Sequence, residues 1–127
     1  MSAGRLLIID DDRDLAESLA EYLQLDGYEV QVSFSGRSGC EAALAGSFDC
    51  VLIDVGLPDI DGYQVMRQIV EKRPSLKVAL MSGHSAQDLD PVSSRLRSVQ
   101  VIMKPLDLDD LTRRLADGSL GAHGEES

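Results

Sequence analysis

Five short strand-like runs, each followed by a segment of helical spacing, leave this chain few folds to choose from. "RLLII" (5–9) reads as a strand covered on both faces, and "CVLID" (50–54) has the same character. "KVALM" (77–81) and "VQVIM" (99–103) are the fourth and fifth runs. The second, "YEVQVSF" (28–34), alternates instead, placing Tyr28, Val30, Val32 and Phe34 on one side. Between the first two, "DRDLAESLAEYLQLDG" sets Leu15, Ala16, Leu19, Tyr22 and Leu23 on one helical face and stops at Gly27. "SGRSGCEAALAGS" predicts a short helix ending near Gly46, and "YQVMRQIVEKR" one that ends before Pro74. "DPVSSRLRS" predicts a fourth helix, with Asp90 as its cap and Pro91 in its first turn. "LDLDDLTRRLADG" predicts the last, capped by Asp107 or Asp109 and stopped by Gly118.

Strands alternating with helices build a mainly parallel sheet with helices on both faces. Right-handed crossovers with one reversal of winding then give a three-layer α/β sandwich. The 127 residues suffice for one domain with its own core, expected over residues 1–117, with 118–127 as a flexible tail or the start of a linker. Aromatic residues make up only 4% and Trp is absent, so that core is aliphatic.

The charge is lopsided. Residues 1–62 carry three basic and thirteen acidic side chains, a balance of −10, whereas residues 63–127 carry nine of each. An acidic half of this kind repels a nucleic-acid backbone and attracts cations or basic protein faces, so direct nucleic-acid binding is not expected. Cys40 and Cys50 lie in apolar surroundings without zinc-like spacing, which fits small core residues in a reduced, cytoplasmic setting. No run is long and apolar enough to span a membrane, and no signal peptide is apparent.

In an open α/β sheet, ligands gather beyond the carboxyl ends of the strands. Four of the five expected strands end in usable chemistry: Asp10 and Asp11, Asp54, Ser82, and Lys104. One such residue is ordinarily a turn residue or a solvated charge; the four together mark a site. Clustered carboxylates suit a hard divalent cation, and Mg²⁺ is usually held by one or two of them plus a phosphate. A lysine opposite that cation is repelled unless an anion bridges the two, which points to phosphoryl binding. Ser82 adds a hydroxyl donor, and the backbones at Gly56 and Gly83 can approach closely. Asp12 and Asp14 read as charges favoured at a helix start.

"LLIIDDD", "FDCVLIDVGLPDIDGYQVM", "KVALMSGHS" and "VIMKPL", in this order and spacing, resemble the receiver domain of two-component response regulators, from about Arg5 to Ala116. The resemblance implies a flavodoxin-like (CheY-like) (βα)5 sandwich with strand order 2-1-3-4-5. It implies that Asp54 accepts a phosphoryl group from a histidine kinase or a histidine phosphotransfer protein, as in a phosphorelay. It implies Mg²⁺, for which Mn²⁺ may substitute, held by Asp11, Asp54 and the Gly56 carbonyl, with Asp10 acting through a water. Ser82 and Gly83 with Lys104 match the switch positions that meet the phosphoryl group. Pro58 and Gly62 match residues that shape the loop after Asp54, and the Lys104–Pro105 bond is similar to one commonly cis in the family. The kinase-facing region is matched by Asp14, Leu15 and Ser18 together with Leu106 and Asp107.

Two features depart from the family pattern or vary within it. Val101 stands where the family usually has an aromatic switch residue, so the readout falls either to repacking of Val101 or to another surface. Gly56 and His84 occupy the variable positions that tune how long the phosphoryl group persists; His84 reads as a rim residue, and His123 falls in the tail. Arg95, Arg97, Arg113 and Arg114 are candidates for pairing with Asp107, Asp109 and Asp110, within the chain or across a homodimer formed on activation. Two other readings remain: a phosphorylation-independent interaction module on the same fold, and a Mg²⁺-dependent phosphatase with an aspartate nucleophile. The second lacks its general acid, because Asp54 is followed by Val55 and Gly56.

Overall fold

The computed structural model describes residues 3–83, 99–104 and 106–117. The chain runs β1 (Arg5–Ile9), α1 (Arg13–Leu25), β2 (Glu29–Ser33), α2 (Gly36–Ala45), β3 (Cys50–Asp54), α3 (Gly62–Lys72), β4 (Lys77–Ser82), β5 (Val99–Met103) and α4 (Leu108–Asp117). The strands form one sheet in the order β2-β1-β3-β4-β5, every neighbouring pair parallel. The winding reverses between β1 and β3, so the crevice of the fold opens at the ends of those two strands.

The central strands split their side chains between two cores, as the pleat requires. Leu6 and Ile8 of β1, Cys50 and Leu52 of β3, and Ala79 and Met81 of β4 face α1 and α4, where Ala16, Leu19, Leu23 and Leu111 cover them. Their neighbours Leu7, Ile9, Val51, Ile53, Val78 and Leu80 face α2 and α3 and meet Ala43, Val65, Met66 and Ile69. Each buried Leu or Ile contributes about 1.5–3 kcal/mol, and covering both faces is what lets these runs be apolar throughout. Edge strand β2 alternates, and Tyr28, Val30, Val32 and Phe34 all pack on the α1 side, as the spacing predicts.

Each of the described helices starts on a polar cap. Asp12 Oδ1 accepts from Leu15 N (3.2 Å), Ser35 Oγ from Ser38 N (3.2 Å), Asp61 Oδ1 from Tyr63 N (2.7 Å) and Asp107 Oδ1 from Asp110 N (3.0 Å). A cap of this kind contributes about 1 kcal/mol. Asp107, not Asp109, therefore caps the last helix. Gly27 ends α1 at φ +101°, a conformation that favours glycine.

One expectation for α1 needs correction. Leu15 is 42% exposed rather than part of the buried face; that face is formed by Ala16, Leu19, Ala20 and Leu23. Tyr22 is half-buried, and its hydroxyl donates to Asp109 Oδ1 of α4 (3.3 Å). The helix expected from Asp90, together with His84, Arg95, Arg97, Pro105 and segment 118–127, lies outside the described residues.

Candidate functional site: an acidic pocket at the strand ends

β1 delivers the first carboxylate. Asp10 N still donates to Ser33 O (3.0 Å), which keeps the residue in the sheet after the strand has formally ended. Its side chain is consequently buried, at 2% exposure, and Oδ1 accepts from Asp12 N (3.0 Å). β3 delivers the second: Asp54 is its last residue, 9% exposed. Asp11 stands exposed on the rim, and carboxylate oxygens of Asp10, Asp11 and Asp54 lie within 4.8 Å of one another.

The lysine arrives from β5. Lys104 N donates to Ser82 O (2.8 Å), prolonging the β4–β5 pairing by one residue. Its long side chain crosses the end of β4, where buried Ser82 stands, to reach a strand two places away, roughly 10 Å across the sheet. Nζ donates to Asp54 Oδ1 at 2.8 Å and lies 3.7 Å from Asp10 Oδ2. The Asp54 carboxylate itself is thus the anion that holds the lysine in place.

Burial pushes the Asp10 carboxyl above the usual carboxylate range. The Asp12 amide and Lys104 oppose that shift, while the negative charges of Asp54 and Asp11 add to it. Burial works the other way on Lys104, but its hydrogen bond to Asp54 and the charges of Asp54, Asp10 and Asp12 overcome it and raise its pKa. Among the described residues, one ammonium, Lys104, stands against a cluster of three carboxyl groups, an arrangement that attracts positive charge. An all-oxygen donor set drawn from separate strands fits Mg²⁺ in chemistry and spacing.

Glycines leave room beside Asp54. Among the described residues, a Cβ on Gly56 would meet only Asp54 Oδ2, at 3.7 Å, and one on Gly83 would meet nothing within 4 Å. Gly62 is the opposite case. A Cβ there would lie 2.5 Å from both Asp54 O and Val55 Cα, so the start of α3 presses directly on the backbone of the candidate acceptor. Pro58 sits exposed in the intervening loop. Val101, half-buried, packs on the α2–α3 side of the sheet. Arg113 and Arg114 pair with Asp110 inside α4.

Two residues of this region have roles that the turn-forming reading of "LPDIDG" passes over. Asp61 caps α3, a role signalled by its place just before a helical pattern. Asp59 accepts from Gly36 N and Arg37 N of α2 (2.8 and 2.9 Å), more than twenty residues away, and nothing local signals it.

Residues 6–116 match the family described as the response regulator receiver domain. The chain belongs to that family. The match covers all five strands and all four helices described here almost to their ends. The response regulator receiver protein CpdR of Brucella abortus is 32% identical over 111 residues, covering 87% of this chain and 92% of that protein. A CheY-like receiver domain from Methanospirillum hungatei superposes with a TM-score of 0.83 at 27% identity, over 91% of this chain and 92% of that one. The response regulator TrrA from Thermotoga maritima, whose crystal structure is a complex with Mg(2+)-BeF, gives 0.80 at 27% identity, over 92% and 98%. Other response regulators that this receiver domain matches are longer, and it spans between 27% and 50% of their length. Receiver domains carry a phosphoacceptor aspartate and bind Mg²⁺ in an acidic pocket, and the Asp10–Asp11–Asp54 cluster fits that pocket. Membership implies a histidine kinase or phosphotransfer partner. Among the described residues, no helix is long and apolar enough to cross a membrane.

Proposed function

We propose that Asp54 is the phosphoacceptor of this receiver domain and that the domain acts in the cytoplasm as a switch rather than as a turnover enzyme. The observation that carries this reading is the contact of Lys104 Nζ with Asp54 Oδ1 at 2.8 Å, inside a cluster of three carboxylates. An Asp54 carboxylate oxygen attacks phosphorus of a phosphohistidine, and the P–N bond breaks. The leaving imidazole keeps that electron pair and takes up a proton. Such transfer is mostly a matter of positioning and charge stabilisation. Mg²⁺, held by Asp11, Asp54 and the Gly56 carbonyl with Asp10 behind a water, would neutralise charge on the phosphoryl oxygens; Mn²⁺ offers the same chemistry.

The resulting acyl phosphate carries close to two negative charges where the carboxylate carried one. Lys104 follows the added charge from the carboxylate to a phosphoryl oxygen, and the Ser82 hydroxyl can donate to another. Both residues are fixed to one another through Lys104 N and Ser82 O, so their shift moves the ends of β4 and β5 together. The partner surface fits a groove of about 510 Å³ beside Lys104, lined by Leu15, Ser18, Leu19, Leu106 and Leu108. Exposed Leu15 is then explained as a contact for the kinase or phosphotransfer partner.

The test is incubation with Mg²⁺ and acetyl phosphate, followed by mass spectrometry for an acid-stable, alkali-labile adduct. The expected result is one phosphoryl group, absent without Mg²⁺ and absent in Asp54→Asn. Rapid multiple turnover of a phosphate ester would replace this reading with that of a phosphatase. A folded domain that is not phosphorylated by acetyl phosphate or by a phosphohistidine protein would make it an interaction module.

A further inference from the structure

The first turn of α2 has its amide groups fully accounted for, and half of that account comes from elsewhere in the chain. Ser35 Oγ accepts from Ser38 N, and Ser35 O accepts from Gly39 N. The two remaining donors, Gly36 N and Arg37 N, go to the two carboxylate oxygens of Asp59. Those bonds hold the Asp59 carboxyl below the usual carboxylate range even though the side chain is exposed. Charge-assisted bonds to a helix N-terminus are among the stronger hydrogen bonds available to a surface carboxylate.

Asp59 lies in the loop between β3 and α3, which also carries Gly56. Ile60 follows it into the same contact: a Cβ on Gly36 would sit 2.5 Å from Ile60 Cγ1, so a glycine is needed where the loop meets the helix. At its far end the loop is pinned by Gly62 N donating to Val55 O (3.1 Å) and by Gly62 lying against the Asp54 backbone. The segment that presents Gly56 is therefore held at two points, the acceptor's own backbone and the N-terminus of α2.

We infer that Asp59 is a positioning residue: by clamping the β3–α3 loop to α2 it fixes the Gly56 backbone for Mg²⁺ and couples α2 to the state of Asp54. The Mg²⁺ part rests on the function proposed above; the clamp does not. Local capping and loop positioning can be separated, because the Ser35 hydroxyl caps the same turn through Ser38 of α2 itself. Coupling of this kind is reciprocal, so whatever orders the loop also protects the first amides of α2.

The experiment compares the wild-type chain with Asp59→Ala, Asp59→Asn and Ser35→Ala. Amide hydrogen exchange is measured without metal, and apparent Mg²⁺ affinity by amide NMR titration. Asp59→Ala is expected to speed exchange at Val55, Gly56 and Leu57 as well as at Gly36 and Arg37, and to weaken Mg²⁺ binding about tenfold, the lower end for residues that orient metal ligands. Asp59→Asn keeps one acceptor oxygen and falls between. Ser35→Ala speeds exchange within α2 alone and leaves Mg²⁺ binding unchanged. Unchanged exchange at residues 55–57 in both Asp59 variants, or the same pattern in Ser35→Ala, overturns the inference. Failure of the proposed function would read differently: no adduct on Asp54 in the wild-type chain, with the exchange comparison still decisive for the clamp.

Discussion

The two edges of the sheet treat ionisable groups in opposite ways. At the amino edge the charges stay in water. Arg5 pairs with Glu29 at 3.6 Å, both well exposed, and its guanidinium lies over the Phe48 ring. The ionisable groups buried there, Tyr28 and Cys50, are kept neutral, both raised by burial, the Cys50 thiol to about 12. At the carboxyl edge of the same strands, Asp10 and Asp54 are buried beside each other and beside Lys104. Burying like charges together opposes folding except as far as an opposite charge offsets it, here Lys104. The amino edge is built for stability; the carboxyl edge gives some of it up for a binding site.

This contrast is open to direct attack. The largest effect is expected from Asp54→Asn, which abolishes the Mg²⁺-dependent adduct read by mass spectrometry while the domain stays folded by circular dichroism. Gly62→Ala comes next. Its methyl group meets backbone atoms of Asp54 and Val55, and overpacking against backbone is expected to lower stability by about 2–3 kcal/mol in urea unfolding. The phosphorylation rate should fall with it.

Lys104→Ala leaves Asp10 and Asp54 facing each other without their cation. Because the lysine is partly exposed, the expected loss is about 1–2 kcal/mol rather than the full value of a buried pair, and Mg²⁺ should restore more stability to the variant than to the parent. The pH dependence has a definite sign. The folded pKa of Lys104 lies above its ordinary value of 10.5. Its contribution is therefore complete below 10.5 and is lost as pH rises through the folded value. The stability gap between parent and variant should close only in strong alkali.

Asp10→Asn is expected to change stability in the opposite direction. It removes a carboxylate whose charged form burial disfavours, and an amide oxygen can still accept from Asp12 N. A gain of about 1 kcal/mol, measured by thermal unfolding at neutral pH without metal, is the expected result, alongside weaker Mg²⁺ binding. The smallest effect belongs to the amino edge: Glu29→Gln should stay within about 0.5 kcal/mol of the parent, as exposed pairs do. A large loss there, or a loss in Asp10→Asn, would erase the distinction between the edges.

Much of this was legible before any coordinates. The five strands fall where the apolar runs place them, with β1, β3 and β5 matching residue for residue, and three helices end near the glycine or proline that marks them. Asp10, Asp54 and Lys104 converge because parallel strands must all point their ends the same way. Legibility failed where a residue's role depends on distant chain. Leu15 has helical spacing suited to a core, yet it borders an open groove because β5 and the start of α4 leave that end of α1 uncovered. Asp59 reads as one more turn residue until α2 is laid beside it.

The sequence alone determined the order of elements, the parallel sheet and the edge on which the reactive residues gather, since each follows from local periodicity and strand polarity. Tertiary structure alone decided the electrostatics: which carboxylates are buried, that Lys104 grips Asp54 rather than solvent, and that Asp59 ties the β3–α3 loop to a helix. Those outcomes depend on distances of a few ångströms between segments far apart along the chain, and no local pattern encodes them.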